Sequence, residues 1–450
     1  MIEKDTIAAL STPPGTGAIA LLRLSGSEAL AILRTVVPDL PPTLAPRTAH
    51  LADLLDAEGT IDEGLVTWFR APASYTGEEM VEIGVHGSPY IQQRLLTALL
   101  AGGARLARPG EFTLRAFLNR KMDLSQAEAV ADLIGSAGKA AHTLALQQLR
   151  GGYSQRMEGL RQELIDLCAL VELELDFSEE DVEFAERGHL VALIEKISAI
   201  CTDLIASFAY GNAIRSGVPV AILGAPNSGK STLLNALLQE DRAIVSDIPG
   251  TTRDTVEETL TIEGVLFRFI DTAGLRSTAD VIENLGIERS YKKAAEASVV
   301  LLLGDASTLS EEALREEGAA LQQRIGAMGR VLLVMNKADL STESFGADIL
   351  TISALKEEGL NTLRARLLDH VRALHSGSGE IVVSNVRHVE ALRQAREALQ
   401  EARKAIDQGL SGELLAIDLR KAQHHLGEIT GRITTEDLLG SIFGRFCIGK

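Results

Sequence analysis

Gly224-Ala225-Pro226-Asn227-Ser228-Gly229-Lys230-Ser231 follows a strand-like run, Val218 to Leu223, and opens into an apolar helix start, Thr232 to Leu238. This is GxxxxGKS in the strand-to-helix setting that a phosphate-binding loop needs. Glycines let backbone N–H groups close around a β-phosphate, Lys230 neutralises β and γ oxygens, and the Ser231 hydroxyl ligates Mg2+. Asn227, Ser228, Gly229 and Thr232 complete the expected phosphate contacts. The surrounding fold is expected to be an α/β P-loop domain of Ras-like type. The loop alone does not choose between ATP and GTP.

That choice comes from Asn336-Lys337-Ala338-Asp339, directly after the apolar run Val331 to Met335. In NKxD the Asp339 carboxylate accepts two hydrogen bonds from guanine N1 and N2, which adenine does not supply in that geometry. Ser353-Ala354-Leu355-Lys356, after Ile349 to Ile352, matches the loop whose backbone contacts guanine O6. Asp271-Thr272-Ala273-Gly274 ends the run Leu266 to Ile270, with Asp271 expected to hold Mg2+ through water and the Gly274 N–H to sense the γ-phosphate. Before it lies Ser246-Asp247-Ile248-Pro249-Gly250-Thr251-Thr252, in which Thr252 is the expected second magnesium ligand. GTP binding and hydrolysis follow from the four signatures in this order. After DTAG, however, Leu275 stands where Ras-type enzymes carry a water-orienting glutamine, so hydrolysis needs another assistant.

Working outward, 450 residues at about 150 per domain suggest about three domains. A 46% hydrophobic fraction with only 4% aromatics points to aliphatic, helix-leaning cores. Residues 1–118 alternate β-like runs (Thr6 to Ala9, Ala18 to Arg23, Val81 to Val85) with a helix-like stretch, Ile91 to Leu100, as in an α+β domain. Residues 119–215 turn helical, most clearly at Met157, Leu160, Leu164, Leu167, Val171 and Leu175. The acidic stretch from Ser178 is expected to be a helix-to-helix turn, and SGSG at Ser376 to Gly379 a linker. Residues 375–450 resume helical spacing but are short for a separate core. The expected arrangement is a helical bundle domain interrupted by the nucleotide domain, 216–374.

A net charge of -18 argues against nonspecific nucleic-acid binding over the whole surface. Cys168, Cys201 and Cys447 form no CxxC pair, so neither a disulfide framework nor a structural zinc site is indicated. With no signal-like or membrane-spanning run, a cytoplasmic location is expected, without membrane association.

Beyond the nucleotide loops, DTIAAL with TPPGTGAIALLRLSG, SYTGEEMVEIGVHG at Ser74 to Gly87, PGEFTLRAFLNRKMDLSQAEAV at Pro109 to Val130, and the terminal Cys447-Ile448-Gly449-Lys450 resemble the MnmE (TrmE) family of bacterial tRNA-modifying GTPases over the whole chain. The resemblance implies an N-terminal domain that forms a homodimer and binds 5-formyltetrahydrofolate or a related one-carbon folate. It also implies joint work with the flavoprotein MnmG on carbon 5 of the wobble uridine in certain tRNAs. Carried over by motif, Arg23, Glu82, Lys121 and Lys450 form the folate site; this chain has Gly87-Ser88-Pro89 where relatives often have a second glycine. The family offsets the missing glutamine with K+, held here by Asn227, Ser246, Ile248 and Thr251, while Glu283 orients water. Cys447 is implicated in the tRNA reaction, and Lys230 and Glu283 in GTP hydrolysis. A ribosome-assembly GTPase switch, or a folate-dependent one-carbon enzyme with structural GTP, are the competing readings.

Overall fold

The computed structural model describes residues 5–176, 187–239, 257–270, 294–326, 329–374 and 381–450. They form two compact units, one from 1–131, 148–166 and 423–450, the other from 132–147 and 167–422.

The first unit is built on a sheet ordered β3-β4-β5-β2-β1-β6. Its strands are β1 (Ile7–Leu10), β2 (Ile19–Ser25), β3 (Ala49–Asp56), β4 (Gly59–Phe69), β5 (Met80–His86) and β6 (Arg105–Leu106). Only β1 and β6 pair in parallel. Period-two alternation sends Leu22, Leu24, Ile83 and Val85 to one face. There they meet Ile32 and Leu33 of the helix Ala29–Val36 and Leu95 and Leu99 of the helix Pro89–Ala101. Ile7, Ala9 and Phe112 pack together separately, with Tyr75 against them. The β3–β4 hairpin was not among the β-like runs noted in the sequence.

Arg115, on the helix Glu111–Leu118, is 2% exposed yet charged. It donates to Asp5 Oδ1 (2.6 Å), Glu78 Oε2 (3.1 Å) and Glu111 Oε1 (3.2 Å). Burial pushes the Asp5 and Glu111 carboxyls up, but hydrogen bonds and charge from Arg105 and Arg115 outweigh it, and both end below their ordinary values. The chain's last helix, Glu436–Phe443, is capped by Thr435 Oγ1 accepting from the Leu438 N–H. Phe443 and Phe446 join Leu124 and Ala127 in a small core beside Phe117.

The second unit carries a sheet ordered β12-β11-β10-β7-β9-β8. Its strands are β7 (Val218–Gly224), β8 (Glu258–Ile262), β9 (Val265–Phe269), β10 (Val299–Asp305), β11 (Arg330–Asn336) and β12 (Leu350–Thr351). Pairing is parallel except between β8 and β9. A central parallel strand is covered on both faces, so β10 is a continuous apolar run, Val299 to Leu303, buried throughout. The helices Lys230–Gln239, Glu311–Ile325 and Leu360–Ala373 accompany this sheet, while Arg187–Ser216 and Val386–Asp407 pack on each other. These observations give the expected classes: an α+β N-terminal part, helices, and an α/β P-loop domain. No helix among the described residues is long and apolar enough to cross a membrane. The acidic stretch from Ser178 and the SGSG segment lie outside the described residues.

Candidate functional site

β7 lies between β10 and β9, and the chain leaves it for β8 and β9 on one side before returning to β10 on the other. The C-terminal end of β7 is therefore the switch point at which open α/β sheets bind ligands. The loop Gly224 to Lys230 stands there, ahead of the helix Lys230–Gln239. Gly229 has φ +94°, and a Cβ on it would lie 2.2 Å from Asn336 Nδ2. Only glycine permits both the backbone angle and this approach.

Asn336 is 2% exposed, and both ends of its amide are engaged. Nδ2 donates to the Ser228 carbonyl (2.8 Å), and Oδ1 accepts from the Ala354 N–H (3.0 Å). One side chain thus braces the phosphate loop against the loop that begins at Ser353. Lys337, at φ +60°, donates to Asp305 Oδ2 at 2.6 Å. Burial raises the Asp305 carboxyl, but Lys337 and Ser307 hold it below its ordinary value.

Ser353 Oγ donates to Asp339 Oδ1 at 2.7 Å, and Lys356 Nζ lies 3.9 Å from Oδ2. The Ser353 hydrogen bond keeps the Asp339 carboxyl below the usual range, against a smaller opposing effect of burial. The result is a charged carboxylate fixed at the mouth of the sheet, suited to paired N–H donors on one edge of a base.

Lys230 Nζ donates to the Gly224 and Ala225 carbonyls, each at 2.8 Å, and burial lowers its pKa. The Ser228 hydroxyl is buried with no partner among the described residues. An anion entering the loop would give Lys230 a stronger acceptor than a carbonyl and offer one to Ser228. These are the properties a phosphate cradle requires, and the residues fit Mg2+ through the adjoining Ser231 hydroxyl. Asn227 occupies the left-handed region at φ +63°. Ser246, Asp247, Ile248, Pro249, Gly250, Thr251, Thr252, Asp271, Thr272, Ala273, Gly274, Leu275 and Glu283 lie outside the described residues.

The first unit has its own cleft, open and about 380 Å3, bordered by Phe69, Tyr75, Met80, Glu82, Arg47 and Lys121 among others. Glu82 and Lys121 are thereby brought together. Arg23 sits opposite Glu82 in the β2–β5 register and donates to its Oε1 from Nε (3.0 Å) and Nη2 (2.6 Å). Lys121 Nζ donates to the Pro72 carbonyl at 2.9 Å. The terminal residues reach the same neighbourhood, since the Gly449 carbonyl accepts from Ser11 Oγ (3.2 Å) and Arg23 Nη1 (3.5 Å). Cys447 is exposed, whereas Cys168 and Cys201 are buried. Sequence reasoning gave no role to Ser11, Arg47 or Tyr75; Tyr75 lies within the SYTGEEMVEIGVHG stretch, while no local pattern marks Ser11 or Arg47.

Two family models match the chain: the GTP-binding protein TrmE N-terminus over residues 6–121 and the MnmE helical domain over residues 124–447. Full-length relatives include tRNA modification GTPase MnmE of Christiangramia forsetii, 48% identical over 99% of both chains. Another carries the same name in Flavobacterium johnsoniae, at 46% over 100% of both. A third, from Cytophaga hutchinsonii, is 48% identical over 99% of this chain and 98% of the relative.

Proposed function

Because the chain belongs to the MnmE family of tRNA modification GTPases, we propose that GTP hydrolysis in its second unit drives modification of tRNA, at carbon 5 of the wobble uridine, together with the flavoprotein MnmG. The protein is a GTP hydrolase. The observation that carries the nucleotide assignment is the Asp339 carboxylate oriented by Ser353 and set beside the Asn336 brace. Ser231 and Thr252 hold Mg2+, which screens charge on the phosphates. Asn227, Ser246, Ile248 and Thr251 hold K+ in place of the absent glutamine, and Glu283 orients the attacking water.

In the same reading, residues 1–118 form the folate-binding and dimerisation domain, 119–215 and 375–450 the helical domain, and 216–374 the inserted GTPase domain. A folate supplies a one-carbon unit when bound. The cleft supports its binding by setting an acceptor, Glu82, and a cation, Lys121, on an apolar wall of Phe69, Tyr75 and Met80; Arg23 and Lys450 join them in this reading by resemblance. Cys447 serves the tRNA reaction.

The test is nucleoside mass spectrometry on tRNA from cells lacking the gene, complemented with wild type, Asp339→Asn or Glu283→Ala. Wild type restores the modified uridine and neither variant does. Full restoration by Glu283→Ala, with GTP turnover abolished in the purified variant, would instead favour a one-carbon enzyme in which GTP is structural.

A further inference from the structure

The loop from Ser353 to Glu358 is closed on itself. The Ser353 N–H donates to the Glu358 carbonyl (3.0 Å), and the Glu358 N–H donates to the Ser353 carbonyl (3.1 Å). Within the loop the Lys356 N–H donates to Ser353 Oγ at 3.3 Å, and Glu357 takes the left-handed region at φ +59°. That conformation is uncommon for any residue but glycine and persists only where the surroundings hold it. The backbone of Lys356 is thereby fixed beside Ser353 and, through the Ser353 hydroxyl, beside Asp339.

Each guanine loop carries a lysine, and the two are committed differently. Lys337 is taken up by Asp305 Oδ2 at 2.6 Å. The Lys356 ammonium stands 3.9 Å from Asp339 Oδ2, with the lysine side chain 54% exposed and that of Asp339 only 10%. The ammonium therefore lies on the solvent side of the carboxylate, the side from which a base enters. Ser353 is compatible with a bound base, because a carboxylate oxygen has two acceptor positions and the Ser353 hydroxyl takes one of those on Oδ1. The ammonium is not, since guanine brings two adjacent N–H donors and needs both oxygens.

We propose that Lys356 is an internal stand-in for guanine: its ammonium neutralises the Asp339 carboxylate in the empty site, a guanine nucleotide displaces it on binding, and its return speeds nucleotide release. This deepens the GTPase reading by naming a residue that governs exchange, and it rests on that reading for the role of Asp339. When a base leaves, Asp339 would otherwise remain a nearly buried charge without a cation, which is a costly state. Lys356 lowers the free energy of the empty site more than that of the filled one, so it weakens binding and shortens the stay of the nucleotide. Because the pair is open to solvent on one side, its influence is modest.

Stopped-flow release of N-methylanthraniloyl-GDP from the full-length protein, chased with unlabelled GDP, tests this. Lys356→Met keeps the packing of the stem but not the charge and should release the nucleotide about fivefold more slowly than wild type, the factor that two unit charges about 4 Å apart contribute in water. Lys356→Arg restores a cation and should return towards the wild-type rate. The difference between wild type and Lys356→Met should shrink in about 1 M salt, whose Debye length of about 3 Å is shorter than the contact, a response that a merely structural role would not give. In nucleotide-free wild type, carbodiimide should also join Lys356 to Asp339, read by peptide mass spectrometry, and GDP should prevent it. Faster release from Lys356→Met would mean that the lysine grips the bound nucleotide. Equal rates, or a cross-link that GDP leaves intact, would mean that it does not compete. Each of these overturns the proposal while guanine binding stands. If calorimetry finds no GDP bound to wild type, the guanine reading itself falls, and the proposal with it.

Discussion

The nucleotide site of the second unit and the cleft of the first are assembled in opposite ways. The nucleotide loops follow the ends of β7 and β11 and the strand-like residues after β12, and within each loop neighbours in sequence are neighbours in the site. Much of the work there falls to backbone groups, with Asn336 as the brace. The cleft instead gathers side chains from β4, β5, the Ser74–Tyr75 segment and Lys121, while Arg23 behind it reaches a carbonyl 426 positions away. A site made of contiguous loop backbone is written as a motif. A site made of converging side chains is not, and it depends on the stability of everything that holds those elements in place.

The largest effect that would test this difference lies at Arg115. Arg115→Met leaves the carboxylates of Asp5, Glu78 and Glu111 without their shared cation, and breaking a buried ion pair from one side costs about 3–5 kcal/mol. Trp68 is the chain's single tryptophan and lies on β4, so its fluorescence follows the first unit alone. Urea unfolding watched at Trp68 should shift to much lower denaturant while GTP affinity by calorimetry stays within a factor of two, an order-of-magnitude allowance for a site that shares none of Arg115's partners. Loss of GTP affinity in this variant would break the comparison, because the two sites would no longer be separable.

Within the nucleotide loops the expected effects are smaller and more selective. Asp339→Asn should weaken GTP binding about a hundredfold and turn preference towards xanthosine nucleotides, since the amide replaces one of the carboxylate's two acceptor oxygens with an N–H donor, which suits the oxygen xanthine carries in place of guanine's amino group. Ser353→Ala removes only the hydrogen bond that orients Asp339 and should weaken GTP about fivefold, about 1 kcal/mol, without changing the preferred base. Competition assays with GTP and xanthosine triphosphate separate the two. Equal losses in both variants would mean that Ser353 contributes more than orientation.

Much of the second unit could be read from sequence because central parallel strands are plain apolar runs. Val218 to Leu223 and Val331 to Met335 each fall inside the strand observed. In the first unit the β3–β4 hairpin escaped notice. β3 buries only Leu54 fully, so its one-sided burial leaves no clean alternation to detect. Arg115 was invisible for a related reason: an arginine in EFTLRAFL looks like a solvated helix charge until the fold surrounds it with Asp5, Glu78 and Glu111. Asp305, which pairs with Lys337, likewise sits at the end of a buried strand with no motif of its own. Conversely, the sequence placed Glu82 and Lys121 in one site only through resemblance, and the geometry gives them a shared cleft.

The smallest effect expected is in acid, and it again separates the units by mechanism. Asp5 and Glu111 are held in the folded protein below ordinary values of 3.8 and 4.5, because Arg105 and Arg115 overcome the effect of burial. A carboxylate whose pKa is depressed by folding contributes stability that is fully present above its unfolded value and is lost as pH falls through the folded one. Trp68-detected stability should therefore be flat from neutral pH down to about 5 and decline once pH passes below about 4.5, as these two groups begin to take up protons preferentially in the unfolded chain. Glu111→Gln removes one of the two and should make the decline shallower, at the expense of lower stability at neutral pH. Asp339 is also depressed, by its Ser353 hydrogen bond, so GTP affinity should persist over the same flat range and fail only under stronger acid. A Trp68 profile that rises on acidification would show that the Arg115 carboxylates repel one another more than the two arginines attract them, reversing the sign derived from the geometry.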